Sequence, residues 1–464
     1  MGDWCADHLR GVDAWRSDGL AVSTPSDESA KMFDATLRQL VSWLDCVKLG
    51  GLEKTRNAMI AADPDSVMGQ ALALGMHALG TSDSVRKNPS FEIGLKKLES
   101  DAVKIGNVRE QRHAKAVVYF AHGNMESACI EWEKILAEYP NDLMALKFAH
   151  DGYFFLGDSH RKRDSVARVL PKWKKTDPCY SYLHGMLAFG LEECAQYDAA
   201  EASAKLALSL QKQDCWATHA FAHVMEMEGR VNEAIKFMTS TESDWEPCYI
   251  LACHNYWHTA LFYIENEEYE AAVELYDTQV RVRAQSNAML DVVDAASLLM
   301  RLEMEGVTVG TERWQALAPL AEIHFDDHTL SFNDAHISMI VSNLEDPTLY
   351  TKHNNSLRNF VTKGSGQTCQ IFRDVGEDIC DAVVAFNNDN YEKCFALLYP
   401  VRTEIIRIGG SHAQRDVFTQ MLLHSALQTG RTKEFQNLLL ERGTLKPNSP
   451  LVERLRVHQK QMLA

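Results

Sequence analysis

The sequence predicts an all-α protein built as an α-solenoid, in which pairs of helices stack along the chain. Apolar residues recur at helical spacing from Ser26 to Leu463, and almost no stretch alternates β-branched and polar residues as a strand would. Glycine turns separate the helix-length segments, and Gly123 and Gly157 lie 34 residues apart, the length of one helix pair. Because an isolated pair would leave one apolar face in water, the pairs have to stack.

The clearest repeats lie between residues 107 and 285. The pattern there predicts helices over residues 108–121, 126–139 and 143–156, with Asp142 as the cap of the third. Further pairs follow with looser spacing, at residues 182–195 with 198–210, 216–228 with 231–238, and 249–266 with 269–282.

The same pattern is weaker in the two flanks, residues 22–106 and 286–464. In the first flank we predict a helix that is capped by Ser26 and runs to Cys46, followed by helices at 52–62 and 68–79. In the second flank, glycines still separate helix-length segments, and residues 363–367 are predicted to form a loop. We therefore predict one continuous helical-repeat domain over residues 1–464, wound as a right-handed superhelix.

Several segments resemble tetratricopeptide repeats. Small residues occur where that repeat needs close helix contact, at Ala128, Ala200, Ala234 and Ala271. The chain is similar to the tetratricopeptide repeat protein 38 family in the runs FDATL (33–37), ALKFAHDGY (145–153), LACHNYWH (251–258), AMLDVVD (288–294), FNDAH (332–336) and QRDVF (414–418). The resemblance implies an α-solenoid whose first helices line a concave surface, and it implies no particular activity.

Composition argues against several functional classes. Lys and Arg number 47 against 64 Asp and Glu, a formal net charge of −17. Nucleic acids and anionic membranes both require a cationic surface, so we expect neither as a partner. The 11 cysteines include no Cys-x-x-Cys pair, which argues against a thiolate zinc site and a disulfide framework. With no signal-peptide-like start, these features predict a reduced, cytoplasmic protein.

Two pairs of histidines occupy equivalent places in neighbouring repeats. His219 and His223 lie four residues apart on one predicted first helix, and His254 and His258 lie four apart on the next. This spacing puts both rings on one helix face, and the pairs are offset by 35 residues, about one repeat. With Glu226, the four imidazoles are candidate ligands for a divalent transition metal such as zinc, iron or nickel. A simpler interpretation is that they are groove residues, or buried neutral histidines bonded to backbone or carboxylate.

Further histidines, acids and tyrosines are predicted on the same inner helices. The candidate catalytic residues are His150, Asp151, His219, His223, His254, His258, Asp334 and His336. The candidate ligand-binding residues are Tyr153, Tyr256, Asp291 and Asp294. A carboxylate beside a histidine orients the imidazole and raises its basicity, although acids at helix starts also serve as caps.

Two functions stay open at this point. The first is a binding solenoid that takes a protein segment or a small polar molecule in a concave groove lined by histidine and aspartate. The second is an enzyme, metal-dependent or acid–base and hydrolase- or lyase-like, with a histidine-rich site inside the solenoid. Because repeat solenoids typically present extended binding surfaces, the first function is favoured.

Overall fold

A computed structural model describes residues 2–463 of the chain. These residues form helices joined by short turns and contain no strand, which confirms the predicted all-α class. Residues up to Ala220, with 244–251 and 366–368, form one compact unit, and the other residues form a second. The division falls inside the helix Cys215–Met227. The single continuous domain stays a prediction.

Eleven helices precede this division. They are α1 (Val12–Ser17), α2 (Asp27–Ser42), α3 (Leu52–Ala62), α4 (Val67–Leu79), α5 (Pro89–Ile105), α6 (Val108–Ala121), α7 (Met125–Glu138), α8 (Leu143–Leu156), α9 (Ser159–Val169), α10 (Tyr180–Glu192) and α11 (Tyr197–Leu210). Each of the helices α6 to α11 packs against the next, as in a stack of helix pairs.

The remaining helices of the described residues begin with the one that contains this division. They are α12 (Cys215–Met227), α13 (Val231–Ser240), α14 (Glu242–Trp245), α15 (Leu251–Glu265), α16 (Tyr269–Leu275), α17 (Arg281–Arg283), α18 (Met289–Met304), α19 (Thr311–Glu322), α20 (Ser331–Ser342), α21 (Pro347–Lys363), α22 (Gly366–Ile371), α23 (Glu377–Asn387), α24 (Tyr391–Val401), α25 (His412–Gln428), α26 (Thr432–Leu445) and α27 (Pro450–Leu463). Among the described helices, none has both the length and the apolar character that a membrane span requires.

Local sequence sets the ends of the clearest helices. Asn107 and Glu110 form a capping box at the start of α6. The Asp142 carboxylate accepts the Ala145 amide at the start of α8, and Gly157 ends α8 at a φ of +67°, which favours glycine. Because these signals are local, the predicted bounds of both helices match the structure.

Buried small residues allow the helices to approach closely, as the repeat pattern requires. Ala128, Ala200 and Ala234 are completely buried. At the fourth predicted position the prediction is wrong by one residue, because Ala271 is only half-buried and Ala272 is buried instead.

Two π-helical turns depart from the predicted pattern. Tyr276–Val280 interrupts the helix predicted over residues 269–282, and Phe372–Gly376 continues α22. A π turn shifts the helical register by one residue, which apolar spacing does not reveal. The loop predicted over residues 363–367 is shorter than expected, because α22 already begins at Gly366.

Helix α18 occupies the interior of the second unit and carries polar groups into it. It packs against α19, α20 and α25. Its Asp291, Asp294, Ser297 and Arg301 are all at most 2% exposed. Buried polar side chains need partners, so this helix organises the polar contacts described below.

Candidate metal centre

Three histidines of the second unit meet in its interior. His223 comes from α12, and His254 and His258 come from α15. One ligand nitrogen of each lies within 4.8 Å of the others. The ring centroids of His223 and His258 are 4.4 Å apart, and those of His254 and His258 are 4.8 Å apart. We call these three residues the histidine cluster, and none is more than 4% exposed.

His219 lies one turn before His223 on α12 and belongs to the first unit. The His219 ring packs against Phe189 and Trp216, with centroid distances of 5.0 Å to each. The spacing of four residues therefore places both imidazoles on one face of α12.

Two imidazoles of the cluster each have Nδ1 within hydrogen-bond distance of a carboxylate of their own. His254 Nδ1 lies 2.8 Å from Asp294 Oδ2, and His258 Nδ1 lies 3.1 Å from Glu226 Oε2. When Nδ1–H donates to a carboxylate, Nε2 carries the lone pair that a metal ion needs. Glu226, which the sequence suggested as a ligand, instead lies behind His258 and orients it.

A buried lysine behind Glu226 keeps its carboxylate ionised. Its Oε1 atom accepts Lys446 Nζ at 2.5 Å, and Lys446 in turn lies 3.5 Å from Asp416. Burial opposes ionisation of Glu226, but Lys446, followed by His258, outweighs it and lowers the pKa of Glu226 to about 2. Burial lowers the pKa of His258 to about 4, against the opposite effect of Glu226. At neutral pH His258 is therefore the neutral imidazole that binds metals.

The two candidate ligand-binding aspartates of α18 are buried beside the cluster. Asp294 bonds His254, and Asp291 Oδ2 accepts the Ser286 hydroxyl at 2.6 Å. Burial raises the pKa of Asp291 to about 7, and the charge of Asp294 adds to this effect. Burial also raises the pKa of Asp294, although His254 acts against it. Both acids are 1% exposed.

Three other candidates lie in the first unit on α8. His150 Nε2 lies 3.2 Å from the carbonyl oxygen of Met186, and burial lowers the pKa of His150. Asp151 accepts Lys147 Nζ at 2.9 Å. The Tyr153 side chain is 2% exposed. These groups are thus mostly engaged in contacts within the core of their own unit.

A second cluster in the second unit is built around Asp334. Its Oδ1 atom accepts His328 Nδ1 at 2.8 Å and His353 Nε2 at 3.0 Å. Burial opposes ionisation, but the two imidazoles lower the pKa of Asp334 to about 2. We call these three residues the Asp334 cluster, and none is more than 3% exposed. No sequence pattern indicated His353, since it lies on α21 outside the repeated inner positions.

Two further candidates, His336 and Tyr256, are bonded to neighbours outside both clusters. His336 does not bond Asp334, because its Nδ1 donates to the carbonyl oxygen of Phe332 at 2.8 Å. Tyr256 is 3% exposed, and its hydroxyl donates to Glu242 at 2.6 Å.

Sequence reasoning missed the charged residues that the last helices bring to Glu226. Asp416 lies on α25, Arg442 lies on α26, and Lys446 follows α26. Arg442 donates to Asp416 from Nε at 3.0 Å and from Nη2 at 2.9 Å. The only signals were the spacing of four residues between Arg442 and Lys446 and the run QRDVF that contains Asp416. Neither signal indicates contact with residue 226.

Comparison with known proteins gives a coarse similarity. No protein-family model matches the chain. The chain is similar to a structure of the human IFIT1 dimer with PPP-AAAA, at 13% identity and a TM-score of 0.38 over 100% of both chains. It is also similar to yeast Tom70, at 12% identity and a TM-score of 0.32, over 93% of this chain and 95% of that one. Both are tetratricopeptide-like helical-repeat proteins. Similarity at these TM-scores carries no argument about ligand or activity.

Proposed function

We propose that this helical-repeat protein binds a divalent transition-metal ion at the histidine cluster of its second unit. The observation that carries the proposal is the approach of one nitrogen from each of His223, His254 and His258 to within 4.8 Å of the others. Nitrogen ligands of a tetrahedral zinc ion lie roughly 3.3 Å apart, given zinc–nitrogen bonds of about 2.0–2.1 Å. Small rotations of the three rings would close this set around an ion.

The groups behind the imidazoles support a metal site. Asp294 and Glu226 each hold an Nδ1 atom, which is the carboxylate–histidine–metal arrangement of many metalloproteins. Lys446 keeps Glu226 in its charged form.

Burial favours an ion over a protein segment as the ligand. The three cluster histidines and their two carboxylates are at most 6% exposed. A peptide could not reach these side chains without displacing the helices that cover them. An ion needs no such displacement, and its charge compensates for the cost of burying the carboxylates.

The ligand set indicates which metals to test. Imidazole nitrogens suit zinc, iron, nickel and copper, whereas magnesium and calcium prefer oxygen ligands. Three nitrogen ligands leave a fourth tetrahedral position, which a water molecule could fill. A three-histidine zinc site with a bound water is also the form that hydrolytic enzymes use. A hydrolase- or lyase-like activity is therefore the second candidate, placed below binding because a substrate would have to reach a buried ion.

The other predictions made from sequence stand as proposals. They are membership of the tetratricopeptide repeat protein 38 family, a cytoplasmic location, a right-handed superhelix, and a concave groove for a protein segment or a small polar molecule. The exclusion of nucleic acid rests on the net charge of −17 alone.

The metal proposal is tested on full-length protein purified without a histidine tag. The protein is stripped with a chelator, incubated with zinc, passed through a desalting column and assayed by elemental analysis. We expect about one zinc ion per chain, and only traces in His223→Ala and His258→Ala. The matched control is His353→Ala, which removes a buried, carboxylate-bonded histidine outside the cluster and should retain the ion.

A spectroscopic measurement tests the same site without counting metal ions per chain. Cobalt(II) in a tetrahedral nitrogen site gives visible absorption bands that depend on its ligands, and these bands should disappear in His258→Ala. If folded wild-type protein retains neither zinc nor cobalt, the metal proposal is wrong, and acid–base catalysis is the remaining enzymatic candidate.

A further inference from the structure

A cavity of about 180 Å³ lies in the second unit, lined by residues of α24, α25 and α26. Four cationic side chains and two carboxylates line it, namely Arg402, Arg415, Arg442, Lys446, Asp416 and Glu441. Much of the remaining wall is apolar and includes Leu398, Phe418 and Leu438. The cavity therefore combines an excess of positive charge with apolar surface.

Two of the four cations already have close carboxylate partners. Arg442 is bonded to Asp416 through two nitrogens. Lys446 bonds Glu226 at 2.5 Å and lies 3.5 Å from Asp416. These cations stabilise the cavity wall and the carboxylate behind the histidine cluster, so a ligand would not be their main partner.

Arg402 differs from these cations. Its Nη1 atom donates to the carbonyl oxygen of Tyr399 at 2.9 Å, and its guanidinium lies 4.2 Å from the centre of the Tyr399 ring. Its Nη2 atom reaches Glu441 only at 3.5 Å, longer than the roughly 2.7–2.9 Å of a charged hydrogen bond. Its Nε atom is buried and has no hydrogen-bond partner among the described residues. The Nε–Nη2 edge, which binds carboxylates through two parallel hydrogen bonds, is therefore underused.

We propose that this cavity binds a small organic anion, a monocarboxylate with a compact apolar body. The carboxylate occupies the Nε–Nη2 edge of Arg402, and the body packs on the apolar wall formed by residues such as Leu398 and Phe418. A cavity of about 150 Å³ holds a benzene ring, so 180 Å³ suits a ligand of about that size. This site is separate from the metal proposal and does not depend on it.

The wall also indicates why one negative charge fits better than two. Asp416 and Glu441 line the same cavity, and their charges would repel a second negative charge on the ligand. The apolar part of the wall cannot replace the water that a phosphate dianion loses. A monoanion with an apolar body meets both conditions.

The experiment is isothermal titration calorimetry of chelator-treated full-length protein with benzoate as the probe. Benzamide, which has the same shape without the charge, is titrated in parallel. We expect Arg402→Gln to weaken benzoate binding about ten-fold or more, because a charge-assisted pair is lost. The matched control is Arg431→Gln. Arg431 also lies over an aromatic ring, that of Phe395, and pairs with Glu392, but it is not among the residues of the cavity wall.

The proposal predicts that Arg431→Gln binds benzoate within two-fold of wild type and that benzamide binds at least ten-fold more weakly than benzoate. Circular dichroism checks that Arg402→Gln is folded. If it is not, Arg402→Lys is used instead. Lysine keeps the positive charge but cannot donate two parallel hydrogen bonds, so benzoate binding should still weaken. Absence of benzoate binding at millimolar concentration would overturn the proposal. Three other results would also overturn the proposal. They are benzamide binding as tightly as benzoate, Arg431→Gln weakening benzoate binding as much as Arg402→Gln does, and inorganic phosphate binding as tightly as benzoate. None of these results depends on metal content, so the two proposals fail separately.

Discussion

The second unit contains two clusters of buried histidines and carboxylates that are arranged in opposite ways. In the Asp334 cluster one carboxylate lies at the centre and accepts a hydrogen bond from each of two imidazoles. In the histidine cluster the imidazoles face one another at the centre, and each carboxylate lies behind its own ring. The same residue types therefore produce a closed hydrogen-bond network in one place and a set of converging nitrogens in the other.

This difference is the reason for proposing metal binding at the histidine cluster and not at the Asp334 cluster. A central carboxylate satisfies the imidazoles that surround it, and the Asp334 cluster needs nothing further for stability. Outer carboxylates instead direct lone pairs inward, where a cation can join them. Buried histidines and acids alone therefore do not support a metal site, and the proposal rests on the position of the carboxylates relative to the rings.

The largest expected effect is on the Asp334 cluster. Asp334→Ala removes the shared acceptor and should lower the free energy of unfolding by about 3–5 kcal/mol, because two buried imidazoles lose their partner. Urea denaturation at neutral pH measures this change. The control is Asp334→Asn, which keeps one acceptor oxygen and should lose less. A loss below about 1 kcal/mol in the alanine variant would show that Asp334 is not the centre of its cluster.

Zinc should stabilise the protein through the histidine cluster and not through the Asp334 cluster. At a free zinc concentration of about 100 times Kd, the wild type should gain about 2.7 kcal/mol. His328→Ala should gain the same amount, and His258→Ala should gain almost none. Thermal melts with and without zinc measure the gain.

A double-mutant cycle sharpens this test. His223→Ala and His258→Ala remove members of one site, so their effects on zinc stabilisation should not add. Additive effects would contradict a shared site.

Acid should reveal the depressed pKa of Asp334. Its pKa is about 2 in the folded protein, against 3.8 for an ordinary aspartate. Because the folded value is lower, this stabilisation is fully present above about pH 4 and is lost as the pH falls toward 2. A shift of this size corresponds to about 2 kcal/mol. The difference in unfolding free energy between wild type and Asp334→Asn should shrink across that range, and a constant difference would argue against the depressed pKa.

The smallest expected effect tests the edge of the Asp334 cluster. Ser356 Oγ lies 2.9 Å from His328 Nε2. The residue is only half-buried, so water can replace the hydroxyl in Ser356→Ala. We expect a loss of about 1 kcal/mol or less by urea denaturation. A loss as large as that of Asp334→Ala would mean that the serine, and not the carboxylate, holds His328 in place.

Helix positions were predictable where the signals were local. The predicted bounds of α3, α6 and α8 agree with the structure to the residue. The Ser26 cap of α2 also forms, with its side chain accepting the Ser29 amide. The π turn at Tyr276–Val280 was not predictable, because both helix types present similar apolar residues along one face.

The candidate site was predictable in part. The offset of 35 residues between the pairs placed His223 and His258 in equivalent positions, and the structure brings their rings together. The role of Glu226 was not predictable, because it depends on Lys446, which lies 220 residues further along the chain. His336 and Asp334 lie two residues apart on α20, and residues two apart do not share a helix face, so these two candidates do not meet.

The sequence alone determined that this chain is helical, where its clearest repeats lie, and which histidines occupy equivalent repeat positions. These properties follow from local spacing, caps and turns. The tertiary structure alone decided which carboxylate stands behind a ring and which stands at the centre of a cluster. Helix rotation sets that choice, and one residue of register turns a side chain by about 100°. The packing of distant helices sets the rotation, and no local signal in the sequence carries it.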